Sequence, residues 1–343
     1  MSKVYIAMSG GVDSSAAAYK IIQDGYEAVG VTLKLLDGEP SQDISDAKAV
    51  CDSLCIPHEV FCWEDEFRRE VISKWVDTYL DAKTPNPCIF CNKSIKFGKL
   101  IDVAVQNGFD KVATGHYAII EEKNGRFLLK KGLCEEKDQS YVLYSLTQHQ
   151  LSHTLFPLGN MTKEQVRATA LAAQILTANK SDSQDICFIP DGDYARFIAE
   201  FTGENSPCGN FVDENGKILG QHKGLINYTI GQRKGLGLAL PAPLYVCRLD
   251  ADKNEVVLTP EDRIFTDTLV AKDVNFIPFD TLCEPIRVQA KVRYRHKAQP
   301  ATIYPLENSR IKVVFDEPQR AITAGQSVVL YDGDYVVGGG IIE

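Results

Sequence analysis

Hydrophobic positions in residues 1–120 alternate between two spacings. Short apolar runs with the length of β-strands lie at residues 3–8, 28–33, 58–62 and 111–114. Segments with helical spacing separate these runs, at residues 16–23 and 46–54 and in two stretches marked by Phe67, Val71, Trp75 and Tyr79 and by Phe97, Leu100, Ile101 and Ala104. Strands that alternate with helices predict a parallel sheet with right-handed crossovers.

The pattern changes along the second half of the chain. Thr162 and Gln165 form a capping-box pattern, which predicts a helix that runs to residue 176. Beyond residue 203, short strands are predicted at residues 209–220, 225–237, 244–258, 288–294, 311–315 and 327–331. The predicted fold is therefore α/β. It has an N-terminal parallel-sheet domain (1–200), a small β-rich central domain (201–265) and a C-terminal β-barrel (266–343).

Composition narrows the class of protein. Of 343 residues, 44% are hydrophobic and 24% charged, which excludes a disordered chain, a collagen and a coiled coil. No apolar run approaches the roughly 20 residues of a membrane helix, and the first one ends too early for a signal peptide, so we expect a cytoplasmic protein. The net charge of −9 disfavours non-specific nucleic-acid binding unless basic residues cluster. Ten scattered cysteines are expected to be mostly free thiols.

A glycine-rich segment, residues 9–15 with the sequence SGGVDSS, lies between the first strand and the first helix. Its glycines allow backbone N–H groups to approach an anion, the serines add donors, and the helix N-terminus adds a favourable dipole. The segment lacks the lysine of a P-loop and the glycine spacing of a dinucleotide fingerprint. It therefore predicts a phosphate site of another type.

Two further segments carry cysteines in polar surroundings. In residues 84–93, Asn92 is expected to cap a helix, so that Cys91 lies just before a helix N-terminus with lysines close in sequence, which favours thiolate over thiol. The Cys88-x-x-Cys91 spacing also suits redox chemistry or a metal, although a lone pair is weak evidence for zinc. Cys187 lies in a polar loop, residues 181–189, for which a structural role is equally compatible with the sequence.

Residues 285–306 contain five basic residues and no acidic one. All five fall at odd positions, namely Arg287, Lys291, Arg293, Arg295 and Lys297, whereas apolar residues fill the even positions 286–292. On a strand, this alternation places every charge on one face. We expect a strip that contacts RNA phosphates, with a solvated strand face as the alternative. Tyr294, at an even position, could stack on a base only at a bulge or the strand end.

Seven segments resemble, in order, those of the tRNA-specific 2-thiouridylase family, a member of the N-type ATP pyrophosphatase (PP-loop) superfamily. They are residues 9–15, 85–97, 114–118, 137–141, 183–188, 227–237 and 293–295. The resemblance implies an adenine nucleotide α-hydrolase-like N-terminal domain. It also implies an enzyme that replaces the C2 oxygen of the wobble uridine of tRNA by sulfur. In that family the C2 oxygen is adenylated, sulfur arrives from a cysteine persulfide, and AMP and diphosphate are released.

The resemblance also implies roles for individual residues. Cys187 carries the persulfide and Cys91 is the nucleophile or resolving thiol, and the two form a transient catalytic disulfide. ATP contacts are expected at Ala7, Met8, Ser9, Gly10, Gly11, Val12, Asp13, Ser14, Leu33 and Gly115, with Mg²⁺ bridging the phosphates. The target base is expected at Asn86, Pro87 and Cys88. tRNA is expected at His116, Lys137, Asp138, Gln139, Arg293, Tyr294 and Gln326.

Cys88 stands where many members of the family have Asp. This departure leaves room for a [4Fe–4S] cluster held by Cys88, Cys91 and Cys187 with one open iron. The expected partners are tRNA and a cysteine desulfurase or sulfur-relay protein as persulfide donor, and we expect a monomer with no membrane contact. Two alternatives stay open. One is an amidating synthetase, although no ammonia-supplying region is evident, and the other is a non-catalytic RNA-binding or metal-cluster module.

Overall fold

The computed structural model describes residues 2–39, 41–178, 180 and 186–343. Its N-terminal domain contains a parallel sheet of five strands in the order β3-β2-β1-β4-β7. The strands are β1 (Lys3–Ala7), β2 (Glu27–Lys34), β3 (His58–Cys62), β4 (Lys111–Ala113) and β7 (Thr154–Leu155). The sequence-based prediction of a parallel α/β domain is confirmed.

Helices cover both faces of this sheet. They are α1 (Val12–Gln23), α2 (Gln42–Ser53), α3 (Glu64–Phe67), α4 (Lys74–Leu80), α5 (Pro87–Cys91), α6 (Leu100–Gln106), α7 (Gln148–Ser152), α8 (Lys163–Ala172) and α9 (Tyr194–Thr202). A π-helical segment, Arg68–Ser73, joins α3 to α4, and a second one, Asn92–Lys99, joins α5 to α6. The two helical faces predicted from the sequence are buried, with Trp75 at the centre of an aromatic cluster that includes Phe188.

The capping box at Thr162 is present, and it begins α8 as predicted. That helix ends at Ala172, four residues before the predicted end, and Gln174 adopts a left-handed backbone with φ +53°. The capping signal therefore locates the start of a helix better than apolar spacing locates its end. No helix among the described residues is both long and apolar enough to span a membrane.

A β-hairpin leaves the N-terminal domain and joins the C-terminal one. It consists of β5 (Ala118–Lys123) and β6 (Arg126–Lys131), linked by Asn124 and Gly125 at φ +53° and +74°. Two central residues with positive φ form the turn type that matches strand twist. Lys130 of β6 pairs with Tyr335 of the last strand, so the hairpin extends the C-terminal sheet.

The central domain is a four-stranded sheet in the order β10-β11-β8-β9. Its strands are β8 (Gly209–Asp213), β9 (Ile218–His222), β10 (Tyr245–Asp250) and β11 (Glu255–Thr259). The predicted strand at residues 225–237 is wrong, because a 3-10 turn at Leu225–Asn227 is followed by an irregular loop. Gly231, Gly235 and Gly237 all have positive φ there, which interrupts extended backbone.

The C-terminal domain is a closed barrel of six strands. They are β12 (Phe265–Phe276), β13 (Ile286–Lys291), β14 (Gln299–Leu306), β15 (Arg310–Arg320), β16 (Ser327–Asp332) and β17 (Tyr335–Ile342). Pairing between β12 and β17 closes the ring, as the predicted barrel requires. Val288, Ala290 and Val292 are buried in its core, as their even positions predicted. Strand β13 ends at Lys291, however, so the second half of the predicted basic strand is a loop.

Candidate active site

A large cleft, of about 1910 Å³, opens at the carboxyl ends of β1 and β4. In a parallel sheet, the crevice where the strand order reverses is the usual place for a ligand, and the chain reverses here between β1 and β4. The cleft is lined by the glycine-rich segment, by Lys96, His116 and Cys187, and by Tyr294 and Arg295 of the barrel domain. Residues from the two ends of the chain therefore form one site.

The turn after β1 is shaped by two glycines. Gly10 has φ +67°, and a Cβ there would lie 2.5 Å from the carbonyl oxygen of Asp43 in α2, so only glycine fits. Gly11 is the N-cap residue of α1, and no side chain caps the helix. The first-turn N–H groups of α1 are thus left for an anion, as predicted for a phosphate site.

Serine hydroxyls hold the turn in place. The hydroxyls of Ser14 and Ser15 both donate to the carbonyl oxygen of Gly11, at 3.1 and 2.9 Å, and Ser9 N donates to Ser14 Oγ at 3.2 Å. Gly115, at the end of β4, lies against the same turn, because a Cβ there would be 2.9 Å from Ser14 N. The predicted nucleotide residues from the first and fourth strands are therefore in contact.

Asp13 is oriented by two side chains that the sequence reasoning missed. Tyr117 Oη and Lys163 Nζ both donate to Asp13 Oδ1, each at 2.7 Å, and Lys163 is buried. Lys180 closes the other side of the turn through ion pairs with Asp43 and Asp46 at 2.6 and 2.9 Å. Lys163 lies 150 positions from Asp13 and Lys180 lies 170 positions from Gly10, so no local sequence pattern could predict these contacts.

The thiol-bearing segment begins at a different cap from the predicted one. Asn86 Oδ1 accepts a hydrogen bond from Cys88 N at 3.0 Å, and Pro87 occupies the first turn, so the helix starts at Pro87. Asn92 is buried instead, and its Nδ2 donates to the carbonyl oxygen of Val142 at 3.0 Å. Cys91 is consequently the last residue of α5, and the prediction that it precedes a helix N-terminus is wrong.

Burial of Cys91 opposes the predicted activation of its thiol. The Cys91 side chain is buried, and burial raises the pKa of its thiol to about 12. Cys88 and Cys187 reach solvent, but the protein atoms around them also raise the pKa of each thiol. The positive charge of Lys96 opposes this effect at all three thiols.

The three thiols therefore share one electrostatic environment, but they do not form a metal centre. No group of three or more His, Cys, Asp or Glu side chains in the described part of the chain is placed to hold a metal ion. Thiolates are the donors that an iron–sulfur cluster takes, but Cys88, Cys91 and Cys187 are not placed together to hold the predicted one. Cys91 and Cys187 are free thiols in this structure.

The loop that carries Cys187 is described from Ile186 onward, and residues 183–185 of the predicted segment lie outside the described residues. Cys187 lines the cleft, whereas the next residue, Phe188, packs edge-to-face on Trp75 at 5.5 Å. Phe188 thus anchors the described part of the loop in the core and leaves the Cys187 thiol at the cleft surface.

The residues expected along the tRNA differ in their surroundings. His116 is buried, shares a hydrogen bond of 2.7 Å with Thr114 Oγ1, and has a pKa well below its usual range because of burial and nearby Lys96. Asp138 accepts hydrogen bonds from Gly132 N, Ser140 N and Ser140 Oγ, and Gln139 accepts from Tyr117 N. The structure therefore gives Asp138 and Gln139 a role in holding the cleft wall, beside the half-buried Lys137.

The prediction that five basic side chains form one strip on a single strand face is wrong. Arg287 forms a bidentate ion pair with Asp316, with both distances 2.7 Å. Arg293 faces the protein, because its Nη2 donates to the carbonyl oxygens of Ile230 and Ala321 and to Thr323 Oγ1, at 3.1, 2.9 and 2.8 Å. Among the five basic residues, Lys291, Arg295 and Lys297 line the cleft.

The barrel domain nevertheless completes the site. Tyr294 Oη donates to the carbonyl oxygen of Asp138 at 3.1 Å, and the Tyr294 ring lines the cleft. Next to Gln326, the carbonyl oxygen of Ala324 accepts from Thr84 N at 2.9 Å, just before the Asn86 cap. These contacts fix the barrel against the segment that carries the thiols.

Family models and curated relatives match nearly the whole chain. Residues 2–191 match the tRNA methyl transferase HUP domain, 195–260 the tRNA methyl transferase PRC-barrel domain, and 266–342 the aminomethyltransferase beta-barrel domain. The tRNA-specific 2-thiouridylase MnmA of Acetivibrio thermocellus is 50% identical over 99% of each chain. The tRNA-specific 2-thiouridylase MnmA 1 of Clostridium tetani is 51% identical over 99% of this chain and 96% of its own. A solved 4-thiouridine synthetase–RNA complex with bound ATP is 16% identical, covering 55% of this chain and 45% of its own, with a TM-score of 0.40.

Proposed function

The chain belongs to the tRNA-specific 2-thiouridylase family, and from this premise we propose that it is a tRNA-uridine 2-sulfurtransferase acting on the wobble uridine. One observation carries the proposal: a single cleft is lined by the glycine-rich turn, by Cys187 and by Tyr294 and Arg295 of the barrel. The cleft is built by one chain, which supports an enzyme that acts as a monomer, and we propose that it acts in the cytoplasm.

The first step is adenylation of the uridine. The uncapped first turn of α1 and the hydroxyls around Gly11 suit the phosphates of ATP. Leu33 and Gly115 line the same cleft and would face the adenosine. The C2 oxygen of the base attacks the α-phosphorus, diphosphate leaves, and N3 of the base loses a proton. A poor leaving group is thereby converted into AMP.

The donor set also fits the magnesium ion expected with ATP. Asp13 is the carboxylate carried by the turn itself, and oxygen donors are those that Mg²⁺ prefers. Bound Mg²⁺ would neutralise charge on the phosphates. Lys163 and Tyr117 would keep the Asp13 carboxylate aimed at this position.

The second step is sulfur transfer. The terminal sulfur of a Cys187 persulfide anion bonds to C2, while the bond between C2 and the adenylate oxygen breaks and AMP leaves with the electron pair. Cys91, after losing its proton to water in the cleft, then attacks Sγ of Cys187. The persulfide S–S bond breaks, a Cys91–Cys187 disulfide forms, and the base keeps the sulfur and regains its proton at N3.

Two partners complete the cycle. A cysteine desulfurase or sulfur-relay protein supplies the persulfide to Cys187, which is accessible in the cleft. A dithiol reductant returns Cys91 and Cys187 to thiols. The tRNA would enter along the cleft wall formed by His116, Lys137 and Tyr294, with Arg295 and Lys297 near its phosphates.

The test is mass spectrometry of tRNA nucleosides after incubation with protein, ATP, Mg²⁺ and a persulfide donor. We expect 2-thiouridine at the wobble position, with AMP released in proportion. The matched control is Cys247→Ser, because that thiol lies in the central domain and donates to the carbonyl oxygen of Val257. Product formation with ammonia in place of the donor would instead indicate an amidating synthetase, and tRNA binding without AMP release would indicate a non-catalytic module.

A further inference from the structure

Lys96 is brought to the reacting thiols by an uncommon backbone feature. It lies in the π-helical segment Asn92–Lys99, in which hydrogen bonds join residues i and i+5, as between Leu100 N and the carbonyl oxygen of Ile95. Cys91 and Lys96 are five positions apart, so this geometry places them on one face. An α-helix, at 3.6 residues per turn, would rotate them well apart.

Two neighbours fit the π-helical backbone closely. Gly98 has no side chain where a Cβ would lie 2.8 Å from the carbonyl oxygen of Lys93. That same carbonyl oxygen accepts a hydrogen bond from Gln150 Nε2 at 3.0 Å, and Gln150 is itself fixed by the capping box of α7. The segment is therefore held in its π-helical form from outside the helix.

The Lys96 side chain is half-buried and lines the cleft together with Cys187. Of the described residues, those whose charges act on Lys96 are the thiols of Cys91, Cys88 and Cys187. Burial alone would lower the pKa of Lys96, but these thiols, when ionised, raise it above its usual value. His116, in the loop that follows β4, lies near the same ammonium and is held neutral, because burial and the charge of Lys96 lower its pKa. Among the described residues, this half-buried ammonium therefore faces thiols rather than a carboxylate, and a sulfur anion can pair with it.

We propose that Lys96 is a catalytic residue whose ammonium holds the transferred sulfur as an anion, at the Cys187 persulfide and then at the attacking Cys91 thiolate. This inference rests on the proposed function and adds to it a charge that the two-cysteine scheme lacks. In the balanced steps above, each nucleophile is a sulfur anion formed among protein atoms that disfavour it. The ammonium neutralises that anion and itself gains or loses no proton.

The experiment measures thiol reactivity without ATP or tRNA. The rate of iodoacetamide alkylation of Cys187 is followed by peptide mass spectrometry from pH 6 to 10 in the wild type, Lys96→Met and Lys96→Arg. Removing a nearby opposite charge shifts a pKa by at least about one unit, so the Lys96→Met profile should move up by about one pH unit, and Lys96→Arg should restore most of it. The matched control is Lys93→Met, an exposed lysine of the same segment, which should not change the profile.

Activity provides the second measurement. Lys96→Met should lower 2-thiouridine formation at least tenfold at neutral pH, since one unit of pKa is a factor of ten in the amount of thiol anion. Release of diphosphate in a single turnover, which precedes sulfur transfer, should stay within about threefold. Gly98→Ala should reproduce the alkylation shift, because it perturbs the π-helical segment without removing the charge.

An unchanged Cys187 profile in Lys96→Met would overturn the inference, and so would a Lys96→Arg variant as impaired as Lys96→Met in both measurements. Because alkylation requires neither nucleotide nor RNA, it separates this inference from the proposed function. A wild-type protein that made no 2-thiouridine would contradict the function alone.

Discussion

Replacing Arg293 by alanine tests whether this arginine joins two domains or binds RNA. Its guanidinium bridges the carbonyl oxygen of Ile230 in the central domain to Ala321 and Thr323 in the barrel. Thr323 Oγ1 also donates to the carbonyl oxygen of Ala321, at 2.9 Å, so Arg293→Ala leaves mainly the Ile230 carbonyl without a donor. A lost hydrogen bond to a charged group plus one unpaired acceptor costs about 2–3 kcal/mol.

Hydrogen exchange measures this cost at the junction. The amide of Gly231 donates to the carbonyl oxygen of Val246 at 2.7 Å and adjoins Ile230. At 1.4 kcal/mol per factor of ten, exchange of the Gly231 amide should become about 30- to 150-fold faster in Arg293→Ala. Arg295→Ala is the matched control, since Arg295 is exposed and lines the cleft.

The salt dependence of tRNA affinity should respond in the opposite way, with the larger effect in Arg295→Ala. Arg295→Ala should flatten the dependence of log affinity on log salt by about 0.7–0.9, the value for one phosphate contact, whereas Arg293→Ala should leave the slope unchanged. If Arg293→Ala flattened the slope by this amount and left exchange at Gly231 unaltered, Arg293 would be an RNA contact and our assignment would be refuted.

The remaining predictions concern the cleft. Cys91→Ser and Cys187→Ser should each abolish 2-thiouridine formation in nucleoside mass spectrometry, while Cys247→Ser retains it; product from either of the first two would contradict the two-cysteine scheme. Gly115→Ala should lower AMP formation at least about tenfold in a labelled-ATP assay, because the added Cβ would lie 2.9 Å from the backbone of Asp13. An unchanged rate would show that this contact does not shape the nucleotide site. Since burial raises the pKa of Cys91 to about 12, its thiolate appears only at higher pH, so its alkylation rate should still rise above pH 10; a plateau near pH 9 would refute the burial argument.

Local sequence patterns predicted those parts of the fold that local physics decides. Apolar runs of strand length located the parallel sheet, and the Thr162 capping box located the start of α8. The β5–β6 hairpin was not predicted, although Asn124-Gly125 is a strong turn signal, and its pairing with the last barrel strand depends on contacts that no local pattern encodes. The alternation of charged odd positions with apolar even positions predicted the buried face of β13 but not where that strand ends.

In the site, too, features set by neighbouring residues were predictable and features set by distant contacts were not. The glycine-rich turn was predictable, because its glycines and the start of the following helix are adjacent in the sequence. The protonation state of Cys91 was not, since it depends on burial against segments distant in the chain. The charge pattern around Arg293 indicated basic residues but could not show that a guanidinium would face Ile230 rather than solvent.

The pairing of the β5–β6 hairpin with the last strand has a consequence for synthesis on the ribosome. Tyr335 Oη donates to Glu121 of the hairpin at 3.1 Å, and the two residues are 214 positions apart. At roughly 5–20 residues per second, the hairpin waits roughly 10–40 s for its partner strand to be translated. During that interval β6 is an unpaired edge, the kind of surface that recruits other chains. Lys130 and Lys131 sit on this edge, and charged lysines there disfavour association with other nascent chains until the chain is complete.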